Sequence, residues 1–366
     1  MAEMREFRPE DSAEVASLYL KVMRGRPAST NSKLASYFEH IFLENPWRGN
    51  GIESLVYIEN TRIVGFLAAM SRPMIFNGRE ITVCVGSQFF IDREAHRGMG
   101  AFALLRKLFS GPQDLTLTDG AAEASAKVWE PAGGDIARLY AFNWIRALKP
   151  FATIQEHSIR RKSGTSWDAL NGVIGFFGSA VDVLAQRAFP GGFSPSSPFQ
   201  TLDVDANGLF DTITEIGWKE KLKPKYERES FTWLLQEAAA APSGELRKKV
   251  VYDQTGKACG WFVYYLNPGG VCSVLQIYSR RTDQFRGVLR ALFADAAQGG
   301  GACVKGQSQP KQLVDLTEEH CLFRQPNSSV LVQSRDTAIT AAIHRGDAAL
   351  SRLDGECWLR FAPEKW

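Results

Sequence analysis

Residues 88–109 read QFFIDREAHRGMGAFALLRKLF, and this run decides how the rest of the chain is read. An apolar, strand-like stretch ends at Ile91. Gly98 and Gly100 sit in a short polar loop, and Ala101, Leu104, Leu105 and Leu108 then recur at helical spacing. Glycines let a backbone approach a ligand closely. Amides at the start of the following helix, with the helix dipole behind them, favour a phosphate or pyrophosphate. His96 and Arg97 add positive charge at the rim. The loop is neither G-x-x-x-x-G-K-[ST] nor a G-x-G-x-x-G following a strand, which disfavours a P-loop or a dinucleotide loop. A simple tight turn is the competing reading of the same two glycines.

Upstream, the pattern predicts a helix with Asp11 as cap, Glu14 completing a capping box, and Val15, Leu18, Tyr19 and Val22 on its apolar face. A second helix is expected over 31–43. Strands follow over 54–59, 62–76 and 80–91, with Asn77-Gly78 as a hairpin turn. Downstream come a short buried strand at 115–118, a helical piece to Trp129 and a strand pair through Leu148, with 139–145 read as strand. Residues 156–200 differ in character. They carry the basic run Arg160-Arg161-Lys162, a stretch over 167–189 read as an amphipathic helix packed against a domain, and a Pro/Gly/Ser-rich stretch. The second half then repeats the first: Tyr57 and Gly65 around a polar turn recur as Tyr252 and Gly260, followed by a strand at 273–278 and a helix start at Arg286-Gly287. These features divide the chain into units 1–155 and 201–366, joined by a linker over 156–200.

Composition limits the function classes. With 45% hydrophobic and 23% charged residues, a chain of 366 can build two cores and a polar surface. A net charge of +3 gives no general case for nucleic acid. Six scattered cysteines without a Cys-x-x-Cys pair argue against a structural zinc and suit a reducing, cytoplasmic setting. The opening residues lack a signal-peptide core, and 173–189 is too short and polar for a membrane span. No metal and no stable membrane insertion are therefore expected.

The order helix, hairpin, long strand, Arg-Gly-x-Gly loop and helix resembles the GNAT superfamily of acyl-CoA transferases. Its loop, [QR]-x-x-G-x-[GA], is matched by Arg97, Gly98, Met99, Gly100 and Ala101, but Phe102 departs from it. That departure resembles a branch with an R-G-x-G-x-F loop, whose members are often tandem proteins, some encoded near genes for polysaccharide modification. Phe7-Arg8-Pro9-Glu10-Asp11 also resembles a GNAT opening, and Trp358-Leu359 a closing strand of such tandem proteins. The resemblance implies an α/β fold of two tandem domains, each a twisted mixed sheet flanked by helices. It implies that backbone groups of Phe89, Phe90 and Ile91 line the pantetheine arm of acetyl-CoA or another acyl-CoA. Amides from Arg97, Gly98, Met99, Gly100, Ala101 and Phe102 would face its pyrophosphate. In the second half Arg286-Gly287-Val288-Leu289 puts Leu289 where Gly100 stands, which argues for a single donor site.

Catalysis is less defined. Relatives transfer the acyl group directly, using a carboxylate on the fourth strand as base and a tyrosine as thiolate acid. Glu80 begins that strand, and is either this base or an exposed hairpin-end carboxylate. Cys84 aligns there as well and reads as a buried packing residue. Trp129 falls where the tyrosine is expected, and an indole cannot do that work. Tyr140 is the nearest alternative, with core packing as its other reading. The expected function is an N- or O-acyltransferase acting on a small-molecule or saccharide acceptor, as a monomer (a pseudo-dimer of domains) or a homodimer. A non-catalytic acyl-CoA-binding or regulatory protein is the alternative, and a Fem-like aminoacyl transferase the third.

Overall fold

Asn77 and Gly78, both at positive φ (50° and 82°), turn the chain between two long strands that carry the first half of the fold. The computed structural model describes residues 2–26, 31–92, 94, 99–149, 195–324 and 328–361. His96, Arg97, Gly98 and the 167–189 stretch lie outside the described residues. Strand β1 (Ala2–Glu6) leads into helices α1 (Ser12–Arg24) and α2 (Ser32–Leu43). Strands β2 (Leu55–Glu59), β3 (Arg62–Phe76) and β4 (Arg79–Ile91), helix α3 (Gly100–Phe109), strand β5 (Leu115–Ala122) and helix α4 (Glu123–Trp129) follow, then strands β6 (Asp135–Ile136) and β7 (Asn143–Ala147).

The second half repeats the plan. Strand β8 (Gln200–Asp203), helix α5 (Ala206–Ile216), strand β9 (Leu222–Pro224) and helix α6 (Arg228–Ala239) precede β10 (Glu245–Tyr252), β11 (Ala258–Leu266) and β12 (Val271–Ser279). Helix α7 (Thr282–Gln298), β13 (Cys303–Gln307), α8 (Leu313–Glu318), β14 (Leu322–Arg324), β15 (Ser328–Ser334) and α9 (Thr337–His344) complete it. The result is two mixed sheets flanked by helices, a tandem α/β arrangement.

The two halves exchange strands. The first sheet runs β1-β2-β3-β4-β5-β15-β6, so β15 of the second half sits between two strands of the first; β9 pairs with β3 beside it. The second sheet runs β14-β7-β13-β12-β11-β10-β8, so β7 of the first half lies inside it. One apolar core is shared across the exchange, joining Phe38 and Phe66 to Trp261, Tyr265 and Leu353.

Several local expectations change. Asp11 does not cap α1 through its side chain; its carboxylate takes two hydrogen bonds from the Arg5 guanidinium (2.7 and 2.8 Å) and one from the Arg8 amide. A charged donor outcompetes a neutral helix amide for it. Glu14 accepts from the Ile63 amide at 2.9 Å instead of closing a capping box. Asn31 caps α2, its side chain accepting from the Leu34 amide at 3.0 Å. Tyr140 lies in a short 3-10 turn ahead of β7 and not in a strand. Arg286 and Gly287 fall inside α7, which starts at Thr282, and Gly287 packs on Phe199, where a Cβ would lie 2.2 Å from the ring. Trp358 and Leu359 are buried in irregular backbone, not a strand.

Candidate functional site

Strands β4 and β5 run parallel but pair over three positions alone: Val83–Leu115, Cys84–Thr116 and Val85–Leu117. Beyond Val85 they part. Gln88 holds a positive φ of 46°, and the β3–β4 register shifts between Phe66 and Ala68. Such a bulge bends its strand and increases local twist, which opens β4 away from β5. Past the bulge, Phe90 and Ile91 still pair with β3, through Phe66 and Gly65. Phe90 is buried against Phe66 and Tyr19, while Phe89 and Ile91 lean on the α3 side. Among the described residues no strand covers the opposite edge of β4 here.

Helix α3 follows β4 in the chain. Gly100 opens that helix and is buried, Met99 is 71% exposed, and Ala101 and Phe102 are half-buried in the first turn. No side chain caps the helix. The first-turn amides of a helix have no partners within the helix itself.

Glu80 and Tyr140 are not brought to this fork. Glu80 lies near the other end of β4, 11 residues before Ile91, or about 36 Å along an extended strand. It is exposed and paired with Lys225 at 2.8 Å. Tyr140 is 1% exposed, donates to the Ala348 carbonyl at 2.8 Å, and has its hydroxyl pKa raised by burial. Trp129 donates its indole N–H to Val332 at 2.9 Å and packs against Phe109. Cys84 is fully buried, and desolvation raises its pKa.

What the structure does place in the fork is a carboxylate from the far end of the chain. Glu356 Oε1 accepts from the Thr118 hydroxyl at 2.5 Å and from the Gly120 amide at 3.2 Å. Ser87 of β4 is beside it, without a well-formed hydrogen bond. Two glycines permit the approach: a Cβ on Gly120 would lie 2.9 Å from Glu356 Oε1, and one on Gly355 would lie 2.2 Å from the Asp119 carboxyl carbon. Asp119 Oδ1 accepts from the Glu356 amide at 2.7 Å, and the Cys357 thiol is beside the same carboxylate, without a well-formed hydrogen bond to Oδ2. Burial, and then the neighbouring Asp119 charge, push the Glu356 carboxyl up to about 7. Burial also raises Asp119, against the opposing charge of Arg352. Gly120 is exposed and Glu356 half-buried.

The second half has a matching fork that is closed. Strands β12 and β13 also pair in parallel over three positions, from Val271–Cys303 to Ser273–Lys305. Just past that point the Leu353 amide donates to the Leu275 carbonyl of β12 at 3.1 Å, so the chain's own C-terminal segment lies along β12 there. Leu289 is fully buried in α7, and two residues, Arg280 and Arg281, connect β12 to that helix. Among the described residues, no group of histidine, cysteine, aspartate or glutamate could hold a metal ion, and no helix is long and apolar enough to cross a membrane.

No sequence-family profile matches this chain, and no curated protein sequence does. Solved structures do. A GCN5-related N-acetyltransferase from Kribbella flavida superposes with a TM-score of 0.55 at 9% identity, over 92% of this chain and 73% of that one. One from Anabaena variabilis gives 0.55 at 11% identity, over 91% and 72%. Saccharomyces cerevisiae N-myristoyltransferase with bound myristoyl-CoA gives 0.50 at 12% identity, over 91% and 79%. At these identities the likeness shows the fold alone, which is that of the GNAT proteins.

Proposed function

We propose that this protein is an acyl-CoA-dependent N- or O-acyltransferase with one donor site, the fork between β4 and β5, and acetyl-CoA as its expected donor. The observation that carries this reading is the three-residue β4–β5 pairing followed by divergence at the Gln88 bulge. The uncovered edge of β4 suits the amides of a pantetheine arm, which can bond to it as a further strand would. In this reading Phe89, Phe90 and Ile91 offer backbone groups to that arm. Arg97, Gly98, Met99, Gly100, Ala101 and Phe102 surround the pyrophosphate. The closed second fork leaves units 1–155 and 201–366 unequal, the latter shaping the site for a small amine or a saccharide acceptor. Transfer is direct, the chain orienting both reactants in one complex. When bound, the donor supplies an activated thioester; the protein supplies position, exclusion of water and proton handling.

Calorimetry with acetyl-CoA tests the site. Wild type is expected to bind. Gly100→Trp should weaken binding by about 100-fold or more, a loss of roughly 3 kcal/mol. Because Gly100 is buried, Met99→Glu is the companion variant: it adds a negative charge at an exposed cap without disturbing the core. Carboxylates are favourable at helix N-termini, so the fold holds while repulsion weakens a phosphate-bearing ligand by about tenfold. Wild-type affinity in both variants would remove the donor site from this loop.

A further inference from the structure

We propose that Glu356, carried into the β4–β5 fork by the C-terminal segment, is the catalytic base and acid of the transfer. This rests on the donor site proposed above. The Gly120 amide that Glu356 holds lies on β5 past its last pairing with β4 at Leu117, so the carboxylate occupies the opening made by the parting strands. A thioester reached along β4 from the α3 end is directed at the same opening. Among the described residues, Glu356 and Asp119 are the carboxylates there, and Asp119 spends Oδ1 on the Glu356 amide. Asp119 is thus a positioning residue. It fixes the backbone of Glu356 and sets its proton affinity through charge.

The step balances as follows. Glu356 takes the proton from the attacking N–H or O–H as the new bond to the acyl carbon forms. The carbon–sulfur bond breaks, and the protonated Glu356 returns that proton to the departing sulfur. One group therefore performs both proton transfers, which removes the need for the absent tyrosine at Trp129 and leaves Glu80 in its salt bridge. A carboxyl pushed up to about 7 is suited to both roles near neutral pH. The groups facing it are Thr118, Asp119 and the Gly120 amide on β5, Ser87 on β4 and Cys357 on its own segment, while Arg352 acts on Asp119 and Cys357.

The competing explanation is that Glu356 merely tethers the C-terminal segment, and a pH profile separates the two. With the full chain, acetyl-CoA as donor, and either water or glucosamine as acceptor, release of free thiol is followed. Glu356→Gln should lower kcat by about 10²–10⁴-fold while binding acetyl-CoA like wild type. Glu356→Asp should recover part of that loss. Wild-type kcat should fall below about pH 7, tenfold per unit. Asp119→Asn should move this limb to lower pH, since removing a negative neighbour lowers the carboxyl's proton affinity.

A readout free of turnover follows from the sign of the shift. The folded carboxyl holds its proton above the unfolded value, so its ionisation costs stability as pH rises through about 7. Glu356→Gln should then melt higher than wild type at about pH 8, the difference closing near about pH 4. Wild-type turnover and an unchanged pH limb in Glu356→Gln, with acetyl-CoA binding intact, overturn the role of Glu356 alone. Failure of wild type to bind acetyl-CoA overturns the donor site and this proposal with it.

Discussion

Trp144→Ala is expected to lower the unfolding free energy by about 3–5 kcal/mol, in one transition that involves both sheets. Trp144 belongs to β7, which the first half lends to the second sheet, and its side chain is fully buried. The indole lies against Gly306 of the neighbouring strand, where a Cβ would come within 2.3 Å of the ring, and meets Phe293 edge-on at 5.9 Å. Its N–H donates to the Gln307 carbonyl at 3.1 Å. Truncation leaves a large cavity that the paired strands cannot collapse to fill, and it leaves that carbonyl without the indole donor. The coupling follows from the reciprocal exchange: β15 sits between β5 and β6, so neither sheet is complete without chain from the other half. Chemical denaturation followed by circular dichroism checks both statements. Two separated transitions, or a loss below about 1.5 kcal/mol, the scale of a volume-conserving swap, would sink the idea.

This exchange also marks what the sequence could and could not disclose. The β3–β4 hairpin and α3 are legible because their determinants are local, namely Asn77-Gly78 at the turn and leucines at helical spacing. The repeat is legible through its second hairpin, where β10 and β11 pair around the Asp253–Lys257 turn. Which sheet a strand joins is not local. The stretch 139–145 reads as a strand, yet alternation names no neighbour, and nothing local in Ser328–Ser334 assigns it to the first sheet. Arg286-Gly287 imitates a loop glycine, yet Gly287 serves helix packing against Phe199. Glu356 was invisible for a related reason. It sits in a Gly-Glu-Cys-Trp run without any signature, and its partners Thr118 and Gly120 are 238 and 236 positions away. Glu80, by contrast, stands on the strand where a base is expected. Strand rise alone takes it far from the fork.

Asp354→Ala is expected to cost about 3–5 kcal/mol, and to cost more than the double change Arg72→Met with Asp354→Leu. Both residues are 5% exposed, with Arg72 Nη2 at 3.6 Å from Asp354 Oδ1. Burial pushes the Arg72 pKa down and the Asp354 pKa up, so each charge is expensive alone. Around the pair, the Tyr226 and Ser351 hydroxyls each donate to Asp354 at 2.5 Å. Gln276 donates to Tyr226 and Ser351, while the Arg72 guanidinium lies 4.2 Å above the Trp47 ring. Removing the carboxylate strands a cation and two hydroxyls; removing both charges strands only the polar rim. The non-additivity is the discriminating quantity, because contacting residues in one network do not contribute independently. Asp354 also stands two residues before Glu356, on the segment anchored by Leu353 to β12 and by the Glu356 amide to Asp119. Loss of this middle anchor should therefore lower turnover through misplacement of Glu356 while acetyl-CoA affinity holds. The double variant should restore stability more than it restores rate. Equal costs for the single and double changes would show that Asp354 does not neutralise Arg72, and the segment would then be held by its backbone contacts alone.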